Sequence, residues 1–384
     1  MALAFERDEY DRRKAAVLAE MADRGLDALL MFAPESHFWL TGYDTFGYCY
    51  FQCLVLTKDG RLVLMTRLPD LRQAQHTSLV EDIRVWVDEG GANPTKRLID
   101  ILFEFDLLGA CIGVETDTHG LTAANGKLLD EALQSFATAE DASDLVPTLR
   151  SVKSAAEIAY VRTAAALCDD AWEAGLAEIR PGADEGRILA AMQGAVFAGG
   201  GDYPGNGFII GSDRDALLCR TKSGRRTLSP SDQITLEFAG AYRHYHAAMM
   251  ATVTIGGGTL RHRELFDAAE AALSAVEDAM QPGRTFGDVF DAHAKVVDAA
   301  GMQPHRMNAC GYSLGTRYAP SWMDPPMFYR GNPTEIAPDM VLFAHMILMD
   351  SDSGTAMTLG RSYLTTDGAP EPLSRHPVAL IDRG

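Results

Sequence analysis

A carboxylate set among apolar residues on a strand is the first feature of this sequence with a chemical use. Residues 232–256 read Asp-Gln-Ile-Thr-Leu-Glu-Phe-Ala-Gly-Ala-Tyr-Arg-His-Tyr-His-Ala-Ala-Met-Met-Ala-Thr-Val-Thr-Ile-Gly. Ile234, Leu236 and Phe238 alternate with Thr235, Glu237 and Ala239, the period of two that a strand with two different faces requires. Burying an ionised carboxyl there is costly unless something pairs with it, so Glu237 marks a site and is the candidate base or nucleophile. The turn is expected at Gly240 and Ala241, and the returning strand carries His244 and His246 on one face. His246 faces the same side as Glu237 and is the candidate proton shuttle. His345, on the apolar run 340–349, is a second candidate. Strand burial raises a carboxyl's proton affinity and a nearby imidazolium lowers it, an opposition by which working carboxyls are tuned. The plainer alternatives are a buried ion pair for Glu237 and a hydrogen-bonded core imidazole for His345.

Aromatic residues form the next group. Tyr242, Tyr312, Tyr318 and Trp322 are candidates to orient a small cationic or zwitterionic substrate through ring faces and phenol hydroxyls, or else to pack in the core. Asp202, in Gly-Gly-Asp-Tyr-Pro, either binds a substrate nitrogen or forms a turn. The ring-rich stretch 37–51 reads as a loop that packs in a core or dimer contact, walls a pocket, or does both, with Trp39 as its candidate substrate contact. Arg220, Lys222, Arg225 and Arg226 flank Ser223-Gly224 and read as a solvated turn.

The elements that must carry these residues follow from pattern and composition. A chain of 384 residues, 47% hydrophobic and 23% charged, is long enough for two domains. Its net charge of −19, with no basic patch beyond that one turn, argues against a nucleic-acid partner. The charged N-terminal segment and the lack of any apolar stretch approaching ~20 residues predict a cytoplasmic protein with no membrane partner. Six scattered cysteines without CxxC spacing indicate neither a zinc knuckle nor a disulfide scaffold. Residues 8–24 predict a helix closed by Gly25. Short apolar strands are expected at 27–32, 52–56, 62–65, 83–87 and 111–115, with helices at 94–105 and 123–136. This alternation predicts an α/β domain over residues 1–149. Long helices follow. A helix ending in Arg180-Pro181-Gly182 and one followed by Gln281-Pro282-Gly283 each precede a second helix and then strands, which predicts a duplicated unit within residues 150–384.

The repeat, the smaller α/β domain, the Leu149-Arg150-Ser151-Val152-Lys153-Ser154 linker and the Pro-Gly punctuation together resemble the pita-bread superfamily of methionine aminopeptidase, aminopeptidase P, prolidase and creatinase. The resemblance covers nearly the whole chain. It implies an α+β fold, with a creatinase-like N-terminal domain and a C-terminal pita-bread domain built on a pseudo-twofold repeat. The metallopeptidase members hold two divalent metals with two Asp, one His and two Glu. Here those positions fall at Glu237, Ala248, Tyr312, His345 and near Leu359. One carboxylate and one imidazole are too few for a dinuclear site, so neither metal nor cofactor is expected.

The residues that remain resemble the metal-free branch, and ectoine hydrolases most closely. The similarity rests on Gly200-Gly201-Asp202-Tyr203-Pro204, on Leu236-Glu237-Phe238-Ala239-Gly240 with Tyr242, on Tyr245-His246, and on Gly311-Tyr312-Ser313-Leu314-Gly315 followed by Tyr318, Pro320 and Trp322. His345 also matches. The sequence departs from that pattern near Leu359 and Gly360, where the hydrolases are acidic, and at Ala251, where they carry Arg. The resemblance implies metal-independent hydrolysis of a carbon–nitrogen bond in a small nitrogen-rich compound, by a homodimer. A metal-dependent Xaa-Pro-type peptidase and a non-catalytic module binding a peptide or protein are the alternatives. Without a metal, such hydrolysis needs a base or nucleophile, a proton donor for the leaving nitrogen, and donors for oxyanion charge.

Overall fold

In the computed structural model, which describes residues 3–221 and 224–384, the chain divides into two compact units, Met1–Arg150 and Ser151–Gly384. The first unit is built on a six-stranded sheet. Strands β1 (Ala28–Met31), β2 (Cys53–Thr57) and β3 (Leu62–Arg67) form an antiparallel meander, and β4 (Asp82–Trp86), β5 (Cys111–Val114) and β6 (Thr138–Asp141) add in parallel, in the order β4-β3-β2-β1-β5-β6. Helices α1 (Arg7–Asp23), α2 (Pro34–Thr41), α3 (Leu71–Thr77), α4 (Pro94–Glu104), α5 (Ala123–Leu133) and α6 (Leu145–Ser151) accompany them. The inner strands β1, β2, β3 and β5 are mainly apolar on both faces, whereas the edge strand β6 is exposed. Ala28 and Leu30 pack with Leu98, Ile101, Leu129 and Leu133 of α4 and α5, while Leu29 and Met31 pack with Val17 and Met21 of α1. Burial on both faces explains why these strands read as continuous apolar runs.

The stretch expected as an aromatic loop is partly helix. Pro34 opens α2, Gly42 at φ 81° closes it, and the Glu115 carboxylate accepts the Phe32 and Ala33 N–H groups at its start. The expectation that Trp39 touches substrate is corrected accordingly. Its ring lies in the core of this unit with Val17 and Met21, and the Arg13 guanidinium sits 5.0 Å from its centroid. Tyr43 and Phe51 are likewise core residues here, and Phe46 and Tyr50 are exposed.

The second unit carries the repeat. Helices α7 (Ala155–Glu178) and α8 (Glu185–Ala198) precede strands β7 (Ile209–Ser212), β8 (Asp232–Tyr242) and β9 (Tyr245–Ile255). Helices α9 (Leu260–Ala279) and α10 (Phe286–Ala299) precede β10 (Ala309–Ser313), β11 (Asp324–Tyr329), β12 (Val341–Asp350) and β13 (Thr355–Leu364). Ser154, Thr259 and Thr285 start α7, α9 and α10 with reciprocal side-chain caps, and Gly182 and Gly283 take up the left-handed conformation between the paired helices. The described residues form one sheet in the order β11-β10-β12-β13-β9-β8-β7, with short strands β14 (Glu371–Pro372) on β13 and β15 (Ile381–Arg383) on β9. The hairpins β8–β9 and β12–β13 lie side by side at its centre, related as a pseudo-twofold pair. Alternation separates the two faces of β12: Leu342, Ala344, Met346 and Leu348 join the core against α9 and α10, and Phe343 and His345 face the other side.

One detail of the hairpin differs from the expectation. Tyr242 pairs with Tyr245, so the turn is Arg243-His244, both at positive φ, rather than Gly240-Ala241. His244 is held there by its N–H, donated to Asp202 Oδ2 at 3.3 Å, and by its carbonyl, which accepts from Arg317 N at 3.0 Å. Gly240 serves a different purpose. A Cβ on it would lie 2.0 Å from the Ala164 carbonyl oxygen, so glycine is what lets α7 cross the strand this closely.

Candidate active site

The pairing of the strands places Glu237 of β8, Met250 of β9, Gly360 of β13 and His345 of β12 in one row across the sheet, on the face turned away from the helices. Tyr312 of β10 shares that face through its pairing with Phe343. A cavity of about 340 Å³ opens here, lined by Asn206, Ile209, Arg220, Glu237, Tyr312, Pro320, Ser321, Trp322 and Met323. That volume lies within the ~300–1,000 Å³ of small-molecule pockets.

A directional hydrogen-bond chain holds the carboxyl. The Trp322 indole N–H donates to Tyr312 Oη at 2.9 Å, and Tyr312 Oη donates to Glu237 Oε1 at 3.2 Å. An indole nitrogen only donates. The Tyr312 oxygen must therefore accept from it, which leaves the single phenolic proton for Glu237. Oε1 is held as an acceptor, and Oε2 makes no hydrogen bond among the described residues. Burial pushes the Glu237 pKa up to about 7, against the opposing pull of the Tyr312 hydroxyl and the Arg220 charge. Burial also raises Tyr312 well above the ordinary phenol value, with the Glu237 charge acting the same way, so it stays protonated.

The two imidazoles behave differently from expectation. His246 shares the face of Glu237, but its partner across the hairpin is Ala241, four positions beyond Glu237, or about 13 Å along the strand at ~3.3 Å per residue. Its Nε2 accepts the Gly205 N–H at 2.9 Å, and its Nδ1 lies 3.4 Å from the Gly315 carbonyl. Both nitrogens are thus engaged by backbone, and burial holds the ring neutral with a pKa near 4. His246 is therefore not positioned to shuttle a proton to Glu237. The ring of His345 lies 5.6 Å from that of Tyr312; its Nδ1 has no hydrogen-bond partner among the described residues, and it does not line the cavity. Burial lowers its pKa to about 3. The positive charge that tempers Glu237 is Arg220, not an imidazolium.

The remaining candidates separate into two places. Tyr312 and Trp322 meet Glu237. Asp202, Tyr242 and Tyr318 gather instead at the hairpin turn: Asp202 holds the His244 backbone, Tyr318 stacks on the His244 ring at 4.1 Å, and Tyr242 packs edge-on against Tyr160 at 5.5 Å. None of these three lines the cavity. Arg220, Asn206 and Ser321 do line it, and sequence reasoning missed all three. Arg220 reaches the site because the Thr221 carbonyl accepts the Ile210 N–H at 3.0 Å, which lays this segment along β7, and β7 pairs with β8 at Glu237. Nothing local in the sequence separates Arg220 from its basic neighbours; of that cluster, Lys222 lies outside the described residues.

The donor set does not fit a dinuclear metal. Among the described residues no group of three or more His, Cys, Asp or Glu side chains is placed to hold a metal ion. Met250 and Gly360 occupy the row between Glu237 and His345. A Cβ on Gly360 would lie 2.6 Å from the Phe343 ring and 2.7 Å from the Met250 Cβ, so no longer side chain fits there without displacing them.

Comparison with known proteins places these features in a family. Residues 159–367 match metallopeptidase family M24, and residues 13–152 match the creatinase/prolidase N-terminal domain. An ectoine hydrolase of Halomonas elongata is 29% identical, with 99% of each chain covered. An uncharacterized hydrolase/peptidase of Sinorhizobium fredii is 27% identical over 98% of this chain and 97% of its own. Among solved structures, a dipeptidase of Mycobacterium ulcerans superposes with a TM-score of 0.85 at 22% identity, covering 98% of this chain and 99% of its own. A prolidase of Thermococcus sibiricus gives 0.87 at 16% identity, covering 97% and 99%. These two establish the fold alone. No helix among the described residues is long and apolar enough to cross a membrane. With its M24 match spanning more than half of the chain behind a creatinase/prolidase N-terminal domain, this protein belongs to metallopeptidase family M24, within the pita-bread superfamily.

Proposed function

We propose that this protein is a metal-independent hydrolase of a carbon–nitrogen bond, of cyclic amidine or amide type, in a small nitrogen-rich compound, with Glu237 as the base or nucleophile. The observation that carries the reading is the single carboxyl that lines the cavity among the described residues, held by Tyr312 through one oxygen only, in a row where Met250 and Gly360 leave no metal-binding set among those residues. Similarity along the whole chain to an ectoine hydrolase supports this substrate class.

With its pKa near 7, Glu237 exchanges a proton in either direction near neutrality. As a base, its free oxygen takes a proton from water as the water oxygen bonds to the amidine or amide carbon. The same carboxyl then returns that proton to the nitrogen as the carbon–nitrogen bond breaks. As a nucleophile, the oxygen bonds to that carbon while the carbon–nitrogen bond breaks and the nitrogen takes a proton from water, and the hydroxide so formed then attacks the acyl carbon, releasing the acid and restoring the Glu237 carboxylate. In both cases Tyr312 keeps Oε1 occupied and so directs the reaction to Oε2. Asn206 and Ser321 supply the other polar side chains of the wall, suited to an oxyanion or ring nitrogen. His345 supports the Tyr312 ring as a neutral group.

The test is incubation of chelator-treated protein with ectoine and related cyclic amidines, with ring opening followed by NMR. Turnover unaffected by chelation is expected. Activity that vanishes on chelation and returns with manganese, cobalt or zinc overturns the metal-free reading. Failure of every compound to turn over would leave a binding module. We propose in addition a homodimeric, cytoplasmic protein. Of the rings in 37–51 only Phe46 and Tyr50 are exposed for a partner to cover, and sedimentation at micromolar concentration decides it.

A further inference from the structure

Arg220 is the only cationic side chain lining the Glu237 cavity among the described residues. It is exposed, and among the described residues no hydrogen bond or ion pair engages its guanidinium. Arginines elsewhere in this chain show the alternative. Arg24, Arg67, Arg84, Arg162, Arg261 and Arg375, none of which lines this cavity, are committed to carboxylates. In a protein of net charge −19, an uncommitted guanidinium that faces a cavity and sits close enough to act on Glu237 is a group with an unmet partner.

We propose that Arg220 is the anion subsite of this cavity and takes the carboxylate of a small substrate whose carbon–nitrogen bond lies against Glu237. Two features define the ligand class. First, a guanidinium presents a planar fork that matches a carboxylate with two parallel N–H···O bonds. Second, the cavity holds one positive and one titrating negative group, which suits a zwitterion or a monoanion with a neutral or cationic nitrogen end. A dianion such as phosphate would meet the Glu237 charge at close range. Trp322, which lines the cavity and is held by its indole N–H on Tyr312, supplies aromatic surface for the body of such a molecule. The position also explains why the segment 218–221 is tied to β7 through Thr221: the tie sets Arg220 beside the strand that pairs with Glu237.

The inference rests on the proposed hydrolase reading for what is cleaved but not for what is bound, and the experiment keeps the two apart. Ectoine and a panel of cyclic amidines and lactams are prepared in matched carboxylate and carboxamide forms. Their binding to wild type, Arg220→Gln, Arg220→Lys and Glu237→Gln is measured by calorimetry and thermal shift. At least one carboxylate is expected to bind the wild type more tightly than its carboxamide. Arg220→Gln should weaken that carboxylate by roughly ten- to a hundredfold while leaving the carboxamide unchanged, the size expected for losing hydrogen bonds to a charged group. Arg220→Lys should recover part of the loss, and Glu237→Gln should bind the carboxylate at least as well as wild type. Equal binding of every matched pair to the wild type overturns the subsite, as does a carboxylate preference that survives in Arg220→Gln or inorganic phosphate binding as tightly as the carboxylates. Tight, Arg220-dependent binding without turnover upholds the subsite and sinks the hydrolase reading.

Discussion

Two buried carboxyls, one in each unit, are shifted in the same direction by burial and have different surroundings. Burial pushes both Glu115 and Glu237 up to about 7. Glu115 accepts from the Phe32 and Ala33 N–H groups at the start of α2 and from the Ser36 hydroxyl, so both of its oxygens are engaged. Glu237 accepts one hydrogen bond, on Oε1, and lines a cavity. A raised pKa therefore does not by itself mark a working residue. What separates the two is an oxygen left without a partner, facing space that a small molecule can enter. The first carboxyl organises a helix start; the second presents one oxygen to a cavity.

The largest effect that tests this contrast is on rate. Glu237→Gln preserves volume and can still accept from Tyr312, so its melting temperature should stay close to wild type. Turnover per folded molecule should fall by roughly a hundredfold to ten-thousandfold, the range of a lost general base, and by at least as much if the role is covalent. If instead the variant melts early and keeps its rate, Glu237 is a second Glu115, and the contrast collapses.

Glu115→Ala should do the opposite. It strands the buried donors at the start of α2, and the expected loss is about 1–3 kcal/mol in chemical denaturation, with the rate per folded molecule unchanged. A specific rate that drops along with stability would join Glu115 to the chemistry.

A smaller effect is expected for Tyr312→Phe. Its hydroxyl lowers the Glu237 pKa, so removing it raises that pKa and moves the acid limb of the pH–rate profile upward. Below that limb the rate should fall about tenfold for each pH unit of displacement. Trp322→Phe should move the limb less, because Tyr312 can still donate after losing the indole. A limb that stays in place in both variants would remove the hydrogen-bond chain from the tuning of Glu237.

The smallest effect is in stability against pH. Both carboxyls bind a proton more tightly folded than unfolded, the unfolded value being near 4.5. Between about 4.5 and 7 the native state therefore holds protons that the unfolded state has released, and stability falls as pH rises through that window. Their contribution is fully present below 4.5 and lost above about 7. Glu115→Gln, which cannot titrate, should flatten this slope, and denaturation midpoints measured across the window provide the check. An unchanged slope would mean that Glu115 does not titrate there.

Much of this arrangement was legible in the sequence because it is local. The alternation around Glu237 identified the strand and its two faces, the Pro-Gly punctuation exposed the repeat, and the glycine after residue 24 ended the first helix. Glu237, Tyr312 and Trp322 could each be singled out by residue type and by resemblance. The exact turn was lost because Gly240 looks like a turn former. Its real constraint is the Ala164 carbonyl, which belongs to a helix some 76 positions earlier. Ring density likewise concealed α2, whose boundaries are marked by Pro34 and Gly42.

What tertiary structure alone decided is which groups meet. Strand pairing across the sheet brings β8, β9, β13 and β12 into one row and so makes neighbours of Glu237 and Tyr312, residues 75 positions apart. The same pairing moves His246 away from the carboxyl it was expected to serve, and it gives a cavity wall to Arg220, which by composition alone belongs to a solvated basic turn. Side-chain period sets the face on which a residue lies. The distance along that face depends on register between strands remote in sequence, and no local pattern encodes that register.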